Sequence, residues 1–254
     1  MSPDAILTEL VTMSRNLGDP ARDLAILGEG NTSARAGADT FWVKASGVEL
    51  RTIGPEGFVQ VRFEPVLSML QAGHLSDEQV KAGLEAAKAD PEVKPHPSVE
   101  TVLHALALQV EGIHFIGHTH PTAVNAILCS QKAEEAIAGR LFPDEIVYCG
   151  VAPVYIPYTD PGIPLARTVR DSIYRYLDDY GEVPKVILMQ NHGFIALGRT
   201  ALEVENITAM YVKAARVLLG TYTLGGPHFL SPADVARIHT RPDELYRRKE
   251  WAKR

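Results

Sequence analysis

Strand-like and helix-like segments alternate along the whole of this chain, and that alternation restricts it to the α/β class, in which each kind of element buries the other's apolar face. Ser2-Pro3-Asp4 opens a helix whose Ile6, Leu7, Leu10, Val11 and Leu17 return at helical spacing until Gly18 and Pro20. Segments 32–35, 40–45 and 58–63 read as short strands, so the first quarter is mostly sheet. From 71 to 97 the chain turns polar and Pro-punctuated, a surface excursion with a helical piece at 77–89. Pro97 and Ser98 open a helix over 99–110, a strand covers 113–118, and Pro121 begins another helix. One or two strands fall within 147–156, a helix covers 165–177, and strands at 186–190 and 194–197 flank an Asn-His-Gly turn. A long helix over 201–219 and a helical tail near 231–254 complete the pattern. No repeat and no Gly/Ser or Pro/Gly linker divides the chain, so residues 1–254 read as a single domain.

A hydrophobic content of 46% in 254 residues is enough for a sizeable core and too high for disorder. The net charge of −6 gives no general attraction to nucleic acid or an anionic bilayer, so a bound phosphate needs a local site and the expected partner is a small molecule. Two cysteines, Cys129 and Cys149, fit a reducing compartment. Asp4 and Glu9 stand where a signal peptide is basic and then apolar, and charges interrupt every candidate membrane run, so the expected location is cytoplasmic.

Two of the nine histidines form His118-Thr119-His120, at the end of an apolar strand and just before Pro121. In an extended segment residues i and i+2 share a face, so both imidazoles can converge on one point. Such a pair is half a metal site, or simply two polar residues at a strand end. His192, in the tight Gly turn after the apolar segment 186–189, is the best candidate for a third ligand. Three imidazoles leave a position open on Zn2+, as in catalytic rather than closed structural sites.

Glu100 follows Ser98 by two residues, where an acid is favoured by the free N–H groups and dipole of a helix start whatever else it does. His104, one turn on, is as well suited to the core as to a ligand set. A third cluster is Gly28-Glu29-Gly30-Asn31-Thr32-Ser33, followed by Ser46-Gly47. Small residues let backbone amides approach an oxyanion and Asn, Thr and Ser add donors, so with Ser98 these residues can make an anion cradle without Lys or Arg. The same residues also make ordinary turns, and no G-x-G-x-x-G or G-x-x-x-x-G-K points to a nucleotide.

Taken in order, GEGNTSAR, VKASG, HPSVET, GHTHPTAV and QNHGFIALG resemble the motifs of the class II aldolase/adducin family, the zinc-dependent sugar-phosphate aldolases and their relatives, from about residue 24 to 219. The resemblance implies an α/β/α domain with a central, mainly antiparallel sheet, assembled as a homotetramer. It implies that His118, His120 and His192 hold one Zn2+ per chain and that Glu100 is the catalytic acid/base. It also implies that Gly30, Asn31, Ser46, Gly47 and Ser98 lie on the substrate's phosphate. The implied activity is retro-aldol cleavage of a small phosphorylated ketose through a metal-stabilised enediolate. A second acid must serve the leaving oxygen. In related aldolases it is a tyrosine, often from a neighbouring subunit; Tyr148, Tyr155, Tyr158 and Tyr246 are the candidates, with Tyr148 and Tyr246 preferred.

Other reactions share this chemistry. Methylthioribulose-phosphate dehydratases resemble the chain and carry the same Glu, and a keto-acid phosphate decarboxylase would use the same core. Pentulose-phosphate epimerases resemble it at HTH but carry Asp where this chain has Glu100. An adducin-like head keeps the fold as a non-catalytic interaction module, against which the intact HxH and His192 argue. Two departures from the family pattern bear on phosphate: Val99 stands where several phosphate-binding relatives have a second Ser, and Glu29 puts a negative charge beside the cradle.

Overall fold

The computed structural model describes residues 2–73, 75–244 and 246. Its strands are β1 (Asn31–Arg35), β2 (Thr40–Lys44), β3 (Phe58–Arg62), β4 (Phe115–Thr119), β5 (Val154–Ile156), β6 (Val186–Met189) and β7 (Gly193–Gly198). They form one sheet in the order β3-β2-β1-β4-β7-β6-β5. Short connections make β1–β2 and β6–β7 antiparallel hairpins, whereas a helical crossover makes β5 and β6 parallel. The sheet is therefore mainly antiparallel, as the sequence implied.

Helices cover both faces. On one lie α2 (Phe63–Gln71), α3 (Asp77–Ala86), α4 (Thr101–Ala107) and α8 (Ile163–Tyr180), packed on Phe41, Val43, Val61, Ile116, Ile195 and Leu197. On the other lie α1 (Pro3–Leu17), α5 (Thr122–Leu128) and α9 (Ala201–Tyr222), packed on Ala34, Phe115, Leu188, Phe194 and Ala196. Double coverage is why Val186-Ile187-Leu188-Met189 is an unbroken apolar run, buried at every position. Within the polar excursion, α3 still contributes Val80 and Leu84 to the core.

Several boundaries differ from those read in the sequence. Phe63 starts α2 instead of ending β3, because Pro65 cannot donate to a strand ladder but fits the first turn of a helix. Residues 147–149 are helical: α6 (Ala133–Ala136) is followed by α7 (Pro143–Cys149), started by Pro143 with Asp144 and Glu145 and ended at Gly150, so that only Val154–Ile156 is strand. The helix expected over 99–110 is confined to α4, and α10 (Pro232–Thr240) forms the start of the expected tail, most of whose remainder lies outside the described residues. Among the described residues no helix is long and apolar enough to cross a membrane.

The position of α7 depends on a buried ion pair. Arg140 Nη1 lies 3.1 Å from Glu145 Oε1, with both side chains nearly inaccessible. Arg140 Nε donates to Gly150 O (3.0 Å), Leu141 N donates to Glu145 Oε2 (2.8 Å), and Leu230 N donates to Arg140 O (2.8 Å), tying the chain after α9 to both ends of α7. Removing one partner strands the other charge in the core, so Arg140→Ala is expected to cost about 3–5 kcal/mol of unfolding free energy. A lower urea midpoint at unchanged slope would report it.

Candidate metal centre

The pleat of β4 places His118 on the same face as Ile116, and His120 continues that face one residue past the strand end, held by its own N–H on Leu24 O (2.8 Å). His192 ends the three-residue turn between β6 and β7. That turn closes with Asn191 at φ +54, a left-handed conformation asparagine tolerates, and it is fastened by Asn191 N to Leu128 O (3.3 Å) and Asn125 Nδ2 to His192 O (3.2 Å). Register then decides proximity: His118 pairs with Asn31 on β1 and Ile195 on β7, which puts Gly193 beneath the two β4 imidazoles. A Cβ at Gly193 would stand 2.6 Å from His120 Cδ2 and 3.0 Å from His118 Cε1, so only glycine leaves room for both rings.

The three imidazoles form one cluster, with ring centroids 4.8–5.4 Å apart. His118 Nδ1 faces Phe194 O at 3.0 Å, and because a carbonyl only accepts, that nitrogen carries the proton and Nε2 is left to the centre. His120 Nε2 lies 3.0 Å from His118 Nε2. Glu100 Oε1 stands 3.2 Å from His118 Nε2 and 3.3 Å from His192 Nε2. Donor atoms 2.0–2.1 Å from one tetrahedral ion lie about 3.3 Å apart; the His118 and His120 nitrogens lie close to that spacing, and the ligand atoms of all three histidines lie within 4.8 Å of one another.

Glu100 is not a capping residue. It occupies the half-helical position before α4, and its side chain makes no bond to the helix N–H groups; it turns to the histidines and accepts from Asn31 Nδ2 (3.4 Å). Burial opposes its ionisation, but the adjacent His118 and the hydrogen bonds with His118 and His192 hold its carboxyl well below the usual carboxylate range. Burial likewise opposes charge on His118, yet Glu100 and the Phe194 carbonyl outweigh it and raise the pKa. Burial and the other two imidazoles push His120 down to about 3, leaving it neutral as a ligand must be. His104 belongs to the core: it is fully buried, its Nδ1 is 2.7 Å from Ser33 Oγ, and burial pushes it down to about 3.

The residues expected to make an anion cradle also lie near one another. Asn31 Nδ2 donates to Ser98 Oγ at 2.7 Å, and Ser46 N donates to His96 O at 2.9 Å, which brings Ser46-Gly47 alongside 96–98. Gly30, at φ +72, packs so closely on β4 that a Cβ would stand 2.7 Å from His118 O. Asn31 Oδ1 is buried without a partner among the described residues. Lys44, nearly buried, reaches across the Ser46-Gly47 turn to Val48 O (2.6 Å), its pKa lowered by burial against the opposing pull of Glu100. A lysine ending an otherwise apolar strand was the sequence feature that could have revealed it.

The tyrosines scatter. Tyr148 on α7 lines a cavity of about 670 Å³ with Ile113, Lys185 and Arg199, at the end of β4 and β7 opposite the histidines. Tyr155 lies on β5, its pKa raised by burial and by Glu134. Tyr158 is exposed, its N–H held by Gln190 Oε1 (3.1 Å) in the turn that carries His192, and Tyr246 is exposed near the chain end.

Residues 8–219 match the class II aldolase and adducin N-terminal domain. The chain belongs to the class II aldolase and adducin family. Over 201 residues, 76% of the chain, it is 27% identical to YuxG of Bacillus subtilis (strain 168), described as an uncharacterized oxidoreductase; it spans about a quarter (26%) of that relative's length. The N-terminal class II aldolase domain of a conserved protein from Thermoplasma acidophilum superposes with a TM-score of 0.65 at 28% identity, covering 83% of this chain and 92% of that one. An L-fuculose 1-phosphate aldolase shares the fold with a TM-score of 0.68 at 18% identity, covering 92% and 94%. Within this family's fold His118, His120 and His192 form a cluster able to hold a metal ion, their ligand atoms all within 4.8 Å of one another.

Protein loaded with zinc and desalted is expected to retain one ion per chain, and His118→Ala and His192→Ala to retain little. Elemental analysis checks this, and full occupancy in both variants would overturn the ligand set.

Proposed function

We propose that the protein is a zinc-dependent aldehyde-lyase that cleaves a small phosphorylated ketose by a retro-aldol reaction. The observation that carries the reading is the clustering of the His118, His120 and His192 imidazoles beside the Glu100 carboxylate, which lies 3.2 Å from His118 Nε2 and 3.3 Å from His192 Nε2 and makes no cap bond to its own helix. Zinc at the triad supplies a Lewis acid for the carbonyl and adjacent hydroxyl oxygens of a substrate, where negative charge develops as the C–C bond breaks. Glu100 spans from the imidazoles, through Oε1, to Asn31, through Oε2, so it borders a substrate lying between metal and cradle. In the cleavage direction it returns a proton to the carbon that loses its partner; in the reverse direction its ionised form removes that proton. Asn31, Ser46, Gly47 and Ser98, with Gly30 packed behind them, form the anion end, and the buried Lys44 ammonium offsets the phosphate charge.

The test is a screen of zinc-loaded protein against phosphorylated ketoses and keto acids for released aldehyde or CO₂. Ketose phosphate cleavage is expected, and CO₂ release alone would replace this reaction with decarboxylation. Glu100→Gln keeps shape and loses the titrating group, so it should retain fold and metal while turnover falls roughly 10²–10⁴-fold. Near wild-type turnover in that variant would end the assignment of Glu100.

The second acid is assigned to a neighbouring subunit of a homotetramer, with Tyr148 first and Tyr246 second. Tyr148 borders a cavity at the far end of the strands and cannot reach its own histidines, while a closed cyclic assembly can bring that end to the next subunit's site in every copy. Light scattering is expected to give four chains. Mixed assemblies of Glu100→Gln and Tyr148→Phe chains should regain activity that neither parent has, and mixtures as inactive as the parents would remove Tyr148 from the site.

A further inference from the structure

His118 and His120 both present Nε2 to the cluster centre, so each must dispose of the proton on Nδ1. For His118 the acceptor is Phe194 O. His120 Nδ1 has one facing group among the described residues, Glu29 Oε1 at 3.7 Å. The residue whose charge looked adverse to the cradle thus turns its carboxylate to the histidine side.

Glu29 is held there by its own turn. Ile26 N donates to Glu29 Oε2 (3.0 Å), and Glu29 N donates to Ile26 O (3.0 Å), so the side chain and the backbone close the same turn from both directions. The turn is anchored to the ligand segment: His120 N donates to Leu24 O (2.8 Å), Thr122 Oγ1 donates to Asp23 Oδ1 (2.8 Å), and Gly30 lies against His118 O. A carboxylate held by one of these bonds, in a turn closed by the other and fastened on either side of His120, is an arrangement for orienting a ring.

We propose that Glu29 is a positioning residue of the metal centre: its carboxylate takes the Nδ1–H of His120, fixing that ring with Nε2 towards the ion. The inference rests on the reading of the triad as a metal site. Carboxylate partners of ligating imidazoles set tautomer and orientation and raise ligand basicity, and their loss typically weakens metal binding roughly 10–100-fold.

The experiment is a zinc dissociation constant for the metal-free full chain, measured by competition with a chromophoric chelator, alongside thermal unfolding of the same metal-free samples. Glu29→Ala is expected to weaken zinc roughly 10–100-fold with little change in metal-free stability. Glu29→Gln, which keeps an acceptor but no charge and preserves the turn, is expected to fall between Ala and wild type. In the cobalt-substituted protein, the d–d spectrum of Glu29→Ala should shift as His120 loses its orientation. Unchanged zinc affinity and cobalt spectrum in both variants would overturn the proposal, including the case in which only KM for substrate moves, which would assign Glu29 to substrate contact. Wild-type protein that takes up no zinc would overturn the metal reading and this inference with it, so the two failures are separable.

Discussion

The pairing of β4 on both of its edges fixes the site. His118 is one of the paired residues: its register opposite Asn31 on one side and Ile195 on the other sets its distance to Asn31 and to the His192 turn together. A one-residue slip on either edge would carry the partner side chains to the opposite face of the sheet. Such a slip is opposed by apolar packing on both faces, since Phe115 and Ile116 enter different cores. The metal ligands are in this sense a by-product of how the middle of the sheet is filled.

The arrangement has an energetic cost. Asn31 Oδ1, Thr101 Oγ1 and His104 Nε2 are buried without partners among the described residues, and each unsatisfied group is worth about 1–3 kcal/mol against folding. All three lie on or beside the elements that hold Glu100. Glu100 is ionised in a poorly solvated place beside His118, whose neighbourhood offsets the cost of burying that carboxylate. The apolar layers above and below offset this, and the protein carries its polar debt where ligand chemistry will use it.

What the sequence disclosed tracks how local each constraint is. The HxH pair was legible because its geometry depends only on the two-residue repeat of a strand, and His192 because a Gly turn after an apolar strand has few shapes. The α/β class was legible because alternation of elements survives errors of a few residues, whereas the mainly antiparallel sheet was implied by the resemblance of the motifs. Glu100 was ambiguous, since a helix start favours an acid regardless; only the side chain's direction away from α4 separates the readings. Residues 147–149 looked like strand because they are apolar, although Pro143-Asp144-Glu145 upstream already favoured a helix. The orientation of Glu29 was hidden because it depends on where a distant segment docks, through His120 N on Leu24 O.

The third ligand arrives on a turn between β6 and β7, far along the chain from His118 and His120. Before β4 and β7 pair, the chain therefore offers an ion only the two-histidine fragment of one strand. The three-histidine site is complete only once that long-range strand pairing, the slow kind of contact to form, is made. An ion that binds there and not to the unfolded chain stabilises the folded molecule more as its free concentration rises.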